Sequence, residues 1–184
     1  MNLKVVTIIG AGTMGQGIAQ WFAQQGVKVE LADANAEVST EALTKIIASW
    51  NKLLEKGKFK AEQVSSFSEN IKATKIDSLN IESDLVVEAI IENLEIKHKV
   101  FENLDKVMEA KTIIASNTSS IPITELAKCL SDSRKAKFLG LHFFNPATIM
   151  KLVEIIKGDE TDQELCDQLE KWFIDRDKKP AQCK

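Results

Sequence analysis

An apolar, β-branched run, Leu3-Lys4-Val5-Val6-Thr7-Ile8-Ile9, ends directly on Gly10-Ala11-Gly12-Thr13-Met14-Gly15. That junction constrains the fold more than any other feature. A run of this kind suits a strand buried on both faces. Three glycines at G-x-G-x-x-G spacing permit a tight turn, close approach of another molecule to the backbone, and close packing of the next helix on the strand. Met14, Ile18 and Phe22 then recur at helical spacing, Gly26 stops the helix, and Val27 to Leu31 reads as a second strand. The opening is therefore a βαβ unit.

Glycine-rich turns also arise for steric reasons alone, so the hexapeptide needs its context. It follows a buried strand, opens an amphipathic helix, and is succeeded by Asp33, about 20 residues beyond its last glycine. A helix start offers unpaired N–H groups and a positive dipole end to phosphates. A carboxylate at 33 can accept hydrogen bonds from both hydroxyls of an adenosine ribose, and its charge repels a 2′-phosphate. These residues predict a site for NAD rather than NADP, built from Gly10, Gly12, Thr13, Met14, Gly15 and Asp33, with FAD ranked lower. The plain alternative is that Asp33 only caps the next helix.

Farther along, a helix is expected from Asn35 to Lys56, with Leu43, Ile46, Ile47, Trp50, Leu53 and Leu54 as its apolar stripe. Lys45, Ser49, Lys52 and Lys56 form a second stripe which, on spacing alone, is an ordinary solvated face. Strands are expected at Asp84 to Ala89, Thr112 to Ser116, Lys137 to His142 and Lys151 to Ile156, with a helix from Leu94 to Met108. Thr161 with Glu164 reads as a capping box opening a last helix. This alternation predicts an α/β fold of Rossmann type: a doubly wound, mostly parallel sheet with helices on both faces, formed by residues 1–184 as one domain.

The 184 residues suffice for one generous core, and 44% hydrophobic with 28% charged residues is ordinary for a globular protein. A net charge of -3 argues against a nucleic-acid binder, which needs a dense basic surface. Cys129, Cys166 and Cys183 are odd in number and lack C-x-x-C spacing, so neither a disulfide framework nor a metal site is expected. No apolar run is long enough for a membrane span and no Arg-rich leader precedes the first strand, so a cytoplasmic location is expected.

Two histidines can be weighed singly. His98, on the Leu94 helix beside Glu102 and Asp105, reads as solvated surface. His142 sits where a predicted strand passes into Phe143-Phe144-Asn145-Pro146, and ligands of open parallel sheets bind beyond the carboxyl ends of strands. A half-buried histidine satisfied by backbone is an equal reading until the next strand is considered. There Glu154 is the one acidic residue among Leu152, Val153, Ile155 and Ile156, and a carboxylate so placed needs a partner. If it bonds one imidazole nitrogen, the other becomes a base of fixed tautomer.

The sequence resembles the 3-hydroxyacyl-CoA dehydrogenase family, especially its compact 3-hydroxybutyryl-CoA dehydrogenase members. The likeness runs through Gly10 to Ala19, Val87-Glu88-Ala89-Ile90-Ile91-Glu92-Asn93, Ser116-Asn117-Thr118-Ser119-Ser120, and Gly140-Leu141-His142-Phe143-Phe144-Asn145-Pro146 with Lys151-Leu152-Val153-Glu154. It implies hydride transfer between NAD(H) and a 3-hydroxyacyl or 3-ketoacyl thioester, with His142 as base and Glu154 orienting it. It also implies Ser119 and Asn145 at the reacting oxygen and the nicotinamide, and Glu88 and Asn93 along the cofactor path. Ser49 and Lys56 match residues that bind coenzyme A, so the basic stripe becomes an expected contact surface for an acyl-CoA. Thr148 stands where many relatives have a second proline. The family continues beyond Lys184 into a helical domain that closes the site and builds a homodimer interface, so the chain is expected to be the amino-terminal half of such an enzyme. The alternative is a non-catalytic NAD-binding or structural relative.

Overall fold

The computed structural model describes residues 1–184. In chain order the strands are β1 (Val5–Ile9), β2 (Lys28–Asp33), β3 (Ile71–Lys75), β4 (Leu85–Glu88), β5 (Ile113–Ser116), β6 (Phe138–Phe143), β7 (Leu152–Lys157) and β8 (Lys179–Cys183). The helices are α1 (Thr13–Gln24), α2 (Ala36–Glu55), α3 (Ala61–Glu69), α4 (Leu94–Val107), α5 (Ile123–Ala127), α6 (Asp132–Lys135) and α7 (Gln163–Ile174). All strands join one sheet in the order β3-β2-β1-β4-β5-β6-β7-β8. Every pairing is parallel except β6 with β7. The order reverses between β1 and β4, which opens a crevice beyond their carboxyl ends. This is the Rossmann-type sheet expected from the sequence.

The side-chain period of two divides the core between the faces. Ile8, Leu85, Val87, Ala115 and Leu139 pack with α1, α2 and α7 residues such as Phe22, Trp50 and Phe173. Their neighbours Ile9, Val86, Ile114 and Phe138 pack on the opposite face with Phe101 and Leu104 of α4 and Leu126 of α5. The central strands are apolar on both faces because both are covered. Gly26, with φ of 78°, ends α1 as expected.

The structure adds β3, β8 and α3, for which the sequence carried no expectation. One cap is corrected. Asp162, not Thr161, caps α7 by accepting from the Glu164 N–H at 2.9 Å. Thr161 instead accepts from the Gly158 N–H at 2.9 Å and donates to the Phe138 carbonyl at 2.6 Å, tying the β7–α7 turn to the start of β6.

Candidate active site

The glycine turn lies where β1 delivers it, over the crevice. Gly10 adopts φ of 102°, and a Cβ there would meet the Ala89 carbonyl oxygen at 2.5 Å; at Gly15 a Cβ would lie 1.7 Å from the Gly10 oxygen. These two glycines are fixed by close packing inside the protein. Gly12 differs: a Cβ there would meet nothing within 4 Å, because that side of the backbone faces open space. No side chain caps α1, and none of Gly12, Thr13 and Met14 donates its N–H to a loop or side-chain acceptor. The helix start thus presents free donors beside a clear approach.

Those residues border a cleft of ≈ 660 Å³ that also takes in Asp33 and apolar side chains of Val38, Ile90 and Ile96. Asp33 ends β2, with one oxygen accepting from the Ala11 N–H at 2.9 Å and the other from the Asn35 N–H at 3.3 Å. The cap of α2 is Asn35, which accepts from the Glu37 N–H at 2.9 Å. Asp33 is therefore a residue of the cleft and not the helix cap. The clear face of Gly12, the uncapped helix start and this carboxylate fit a dinucleotide, with diphosphate at the turn and ribose at Asp33.

Beyond the same strand ends lies a second group. The antiparallel register sets His142 of β6 directly opposite Glu154 of β7, and the pair meets at 2.8 Å between Nδ1 and Oε2. Direct cross-strand neighbours touch in this way. A carboxylate can only accept, so Nδ1 carries a proton, and in the neutral ring Nε2 is left with its lone pair to accept. Its partner is the Ser119 hydroxyl at 3.2 Å. Both ring nitrogens are thereby engaged, on a side chain still 18% exposed.

Ser119 is held by a hub that the sequence reading missed. Glu92 Oε1 accepts from the Ser119 and Ser120 N–H groups at 3.0 and 3.1 Å, from the Ser120 hydroxyl at 3.1 Å, and from the Thr118 hydroxyl. Its other oxygen lies 3.2 Å from Lys97 Nζ. Burial alone would raise the Glu92 pKa, but the Thr118 hydrogen bond and the Lys97 charge outweigh it and bring it down to about 2. Lys97 is itself 1% exposed and bonds Glu88 at 2.6 Å.

The same lysine ties Glu88 into this network. It is fully buried, accepting from Lys97, from the Ser116 hydroxyl at 2.6 Å and from the Ile90 N–H at 2.7 Å, so it supports the strand ends and does not border the cleft. Asn93 caps α4, its side-chain oxygen accepting from the Ile96 N–H at 3.0 Å. Asn117 was missed: it borders the cleft, and its side chain accepts from the Phe143 N–H at 2.8 Å, tying the end of β5 to that of β6. His98 is not merely surface, since its Nε2 lies 3.0 Å from the Glu125 carbonyl, where α4 meets α5.

Asn145 is exposed and reaches neither His142 nor Ser119 by a hydrogen bond. It borders a second cavity of ≈ 280 Å³ between α1, α2 and the 145–148 turn, together with Thr13, Gln16, Lys45, Ser49 and Thr148. Thr13 borders both cavities, so they are neighbours. Ser49 thus lies beside the site, while Lys56, at the far end of α2, stands exposed outside this cavity.

The fold and cleft together define the class: a dinucleotide-binding domain of Rossmann type. Residues 5–184 match the family model described as 3-hydroxyacyl-CoA dehydrogenase, NAD binding domain, and the chain belongs to that family. It is 41% identical to the mitochondrial hydroxyacyl-coenzyme A dehydrogenase of Homo sapiens, over 99% of this chain and 59% of that protein. It is 40% identical to the 3-hydroxyadipyl-CoA dehydrogenase of Escherichia coli, over 100% of this chain and 38% of that protein. Among solved structures, 3-hydroxybutyryl-CoA dehydrogenase from Escherichia coli superposes with a TM-score of 0.94 at 37% identity, covering 100% of this chain and 38% of that one. The chain therefore spans between about two fifths and three fifths of these relatives. NAD is the cofactor of the domain to which it belongs. No helix is long and apolar enough to cross a membrane.

Proposed function

We propose that this chain is the cofactor-holding and proton-handling part of an NAD-dependent 3-hydroxyacyl-CoA dehydrogenase, with residues 1–184 acting as one unit. NAD, when bound, supplies the nicotinamide that exchanges hydride with C3 of the thioester. His142 Nε2 takes the proton of the C3 hydroxyl as the C3–H bond gives up its hydride and the carbon–oxygen double bond forms. In the reverse direction Nε2 returns that proton. Glu154 holds the ring by Nδ1 and stabilises the imidazolium that arises. Ser119 Oγ, already within 3.2 Å of Nε2, hydrogen-bonds the reacting oxygen. Asn145 positions substrate from the turn beyond β6, and Ser49, Lys56 and Lys45 bind the coenzyme A carrier along α2.

The observation that carries this reading is the engagement of His142 on both nitrogens, by a carboxylate on one side and a hydroxyl on the other. Acetoacetyl-CoA with NADH should lose nicotinamide absorbance in the presence of the protein. His142→Ala should lower that rate by about 10²- to 10⁴-fold while leaving NADH affinity unchanged. A variant at full rate would remove the base assignment. The alternative reading is an NAD-binding relative without turnover. NADH binding with no thioester reduction would decide for it. We also propose a homodimeric enzyme and a cytoplasmic location, the latter supported by three free cysteines.

A further inference from the structure

Lys178 stands between α7 and β8, 6% exposed, with no carboxylate paired to it. Its ammonium donates to two carbonyls of one turn, those of Ala147 and Met150, each at 2.6 Å. It also lies 4.8 Å from the ring centre of Trp21 and 5.7 Å from that of Phe143. The turn it grips closes on itself through the Ile149 and Met150 N–H groups, both donating to the Pro146 carbonyl at 2.9 Å. Asn145 begins this turn, Ala147 packs against Gly17 of α1, and Thr148 lines the second cavity together with Ser49 and Lys45.

We propose that Lys178 is a positioning residue, clamping the 145–150 turn so that Asn145 and Thr148 form a fixed wall of the acyl-CoA path. The role of that wall rests on the function proposed above; the clamp itself does not. A buried ammonium is costly to desolvate, and a hydrophobic residue in its place would pack well against Trp21 and Phe143. What the ammonium supplies and an apolar side chain cannot is a pair of charge-assisted donors aimed at carbonyls that otherwise lack partners. Three neighbouring charges are engaged elsewhere. Asp177 pairs with Lys151 at 2.7 Å, Arg176 stacks over Trp172 at 3.9 Å, and Glu154 pairs with His142. Lys179 adds a like charge, and α1 and the 144–150 segment contain no titratable side chain.

The test is amide hydrogen exchange of the 184-residue chain without ligand, in wild type, Lys178→Met and Lys178→Arg. The Met variant should exchange the Ile149 and Met150 amides at least tenfold faster, with Ile18 and Phe22 of α1 changed less than twofold, and Arg should restore protection to within about threefold. Acetoacetyl-CoA affinity, read by calorimetry, should fall at least tenfold in the Met variant while NADH affinity stays within twofold. Unchanged turn amides, or loosening shared equally by α1, would overturn the clamp. Should Lys178→Met not fold, the ¹⁵N-labelled Lys178 ammonium of the wild type decides: protons shielded from exchange are expected, and solvent-like exchange would overturn the proposal. Wild type that binds no thioester, with the exchange pattern as expected, would count against the carrier reading and leave the clamp standing.

Discussion

At the scale of single residues, the glycine turn separates packing from binding. Gly15→Ala drives a Cβ to within 1.7 Å of the Gly10 oxygen, a backbone atom that cannot move aside cheaply, so a loss of several kcal/mol of stability is expected. Gly12→Ala meets no protein atom, and its φ of -72° suits alanine, so its melting temperature should fall by only a few degrees, the cost of a poorer N-cap. Its methyl group, however, occupies the approach to the free N–H groups, so NADH affinity should drop at least tenfold. Thermal unfolding and fluorescence titration measure the two effects, and a Gly12→Ala variant with unchanged NADH affinity would contradict the diphosphate placement. Residues of this kind were legible because the motif states the constraint directly. His142 and Glu154 were legible because a lone acid in an apolar strand must find a partner, and antiparallel register supplied it. Lys97 was not, because a lysine in a polar helical stretch carries no sign that it will be buried between two carboxylates. The burial of Glu88 was hidden for the same reason: its partner is that lysine.

At the scale of elements, the strand ends are held together by charge. Lys97 of α4 reaches Glu88 at the end of β4 and Glu92 in the loop after it, and Glu92 in turn holds the loop after β5 that carries Ser119. Lys97→Met would leave Glu88 buried without its counter-charge, an expected cost of about 3–5 kcal/mol, and adding Glu88→Gln should recover part of it. Chemical denaturation of the single and double variants checks this. The loop has its own pH signature. With the Glu92 pKa depressed to about 2 from an ordinary 4.5, its anchoring is fully present above the ordinary value and is lost as pH falls through the folded one. Amide protection at Ser119 and Ser120 should therefore decline between about pH 4.5 and 2, and Glu92→Gln should abolish that decline. The elements themselves were unevenly legible. Central strands announce themselves by apolar runs because both faces are covered, and β1, β4, β5 and β6 fell within two residues of expectation. The outer strands β3 and β8 have one neighbour each and half-exposed faces, so Ile71-Lys72-Ala73-Thr74-Lys75 and Lys179-Pro180-Ala181-Gln182-Cys183 carry no such run.

At the scale of the whole molecule, the two apolar layers account for cohesion, and the charged groups buried at their margins make stability depend on pH. Arg134 is satisfied by Asp105 and by the carbonyls of Met108, Glu109 and Thr112. Lys178 has carbonyls and rings but no counter-charge, and burial lowers its pKa from 10.5 to about 8. Between those two values the unfolded chain holds the proton and the folded chain does not, so raising pH across that window favours the folded state. The neutral amine keeps two donors, enough for both carbonyls, so the 145–150 turn need not open when the charge is lost. Global stability should accordingly gain about 1–3 kcal/mol from this group between pH 8 and 10.5. Lys178→Met removes the titrating group, so the difference in unfolding free energy between variant and wild type should shift in favour of the wild type by that amount across the window. Urea unfolding at closely spaced pH values measures it, and a difference that stays flat from pH 8 to 10.5 would show that Lys178 is hydrated in the folded protein.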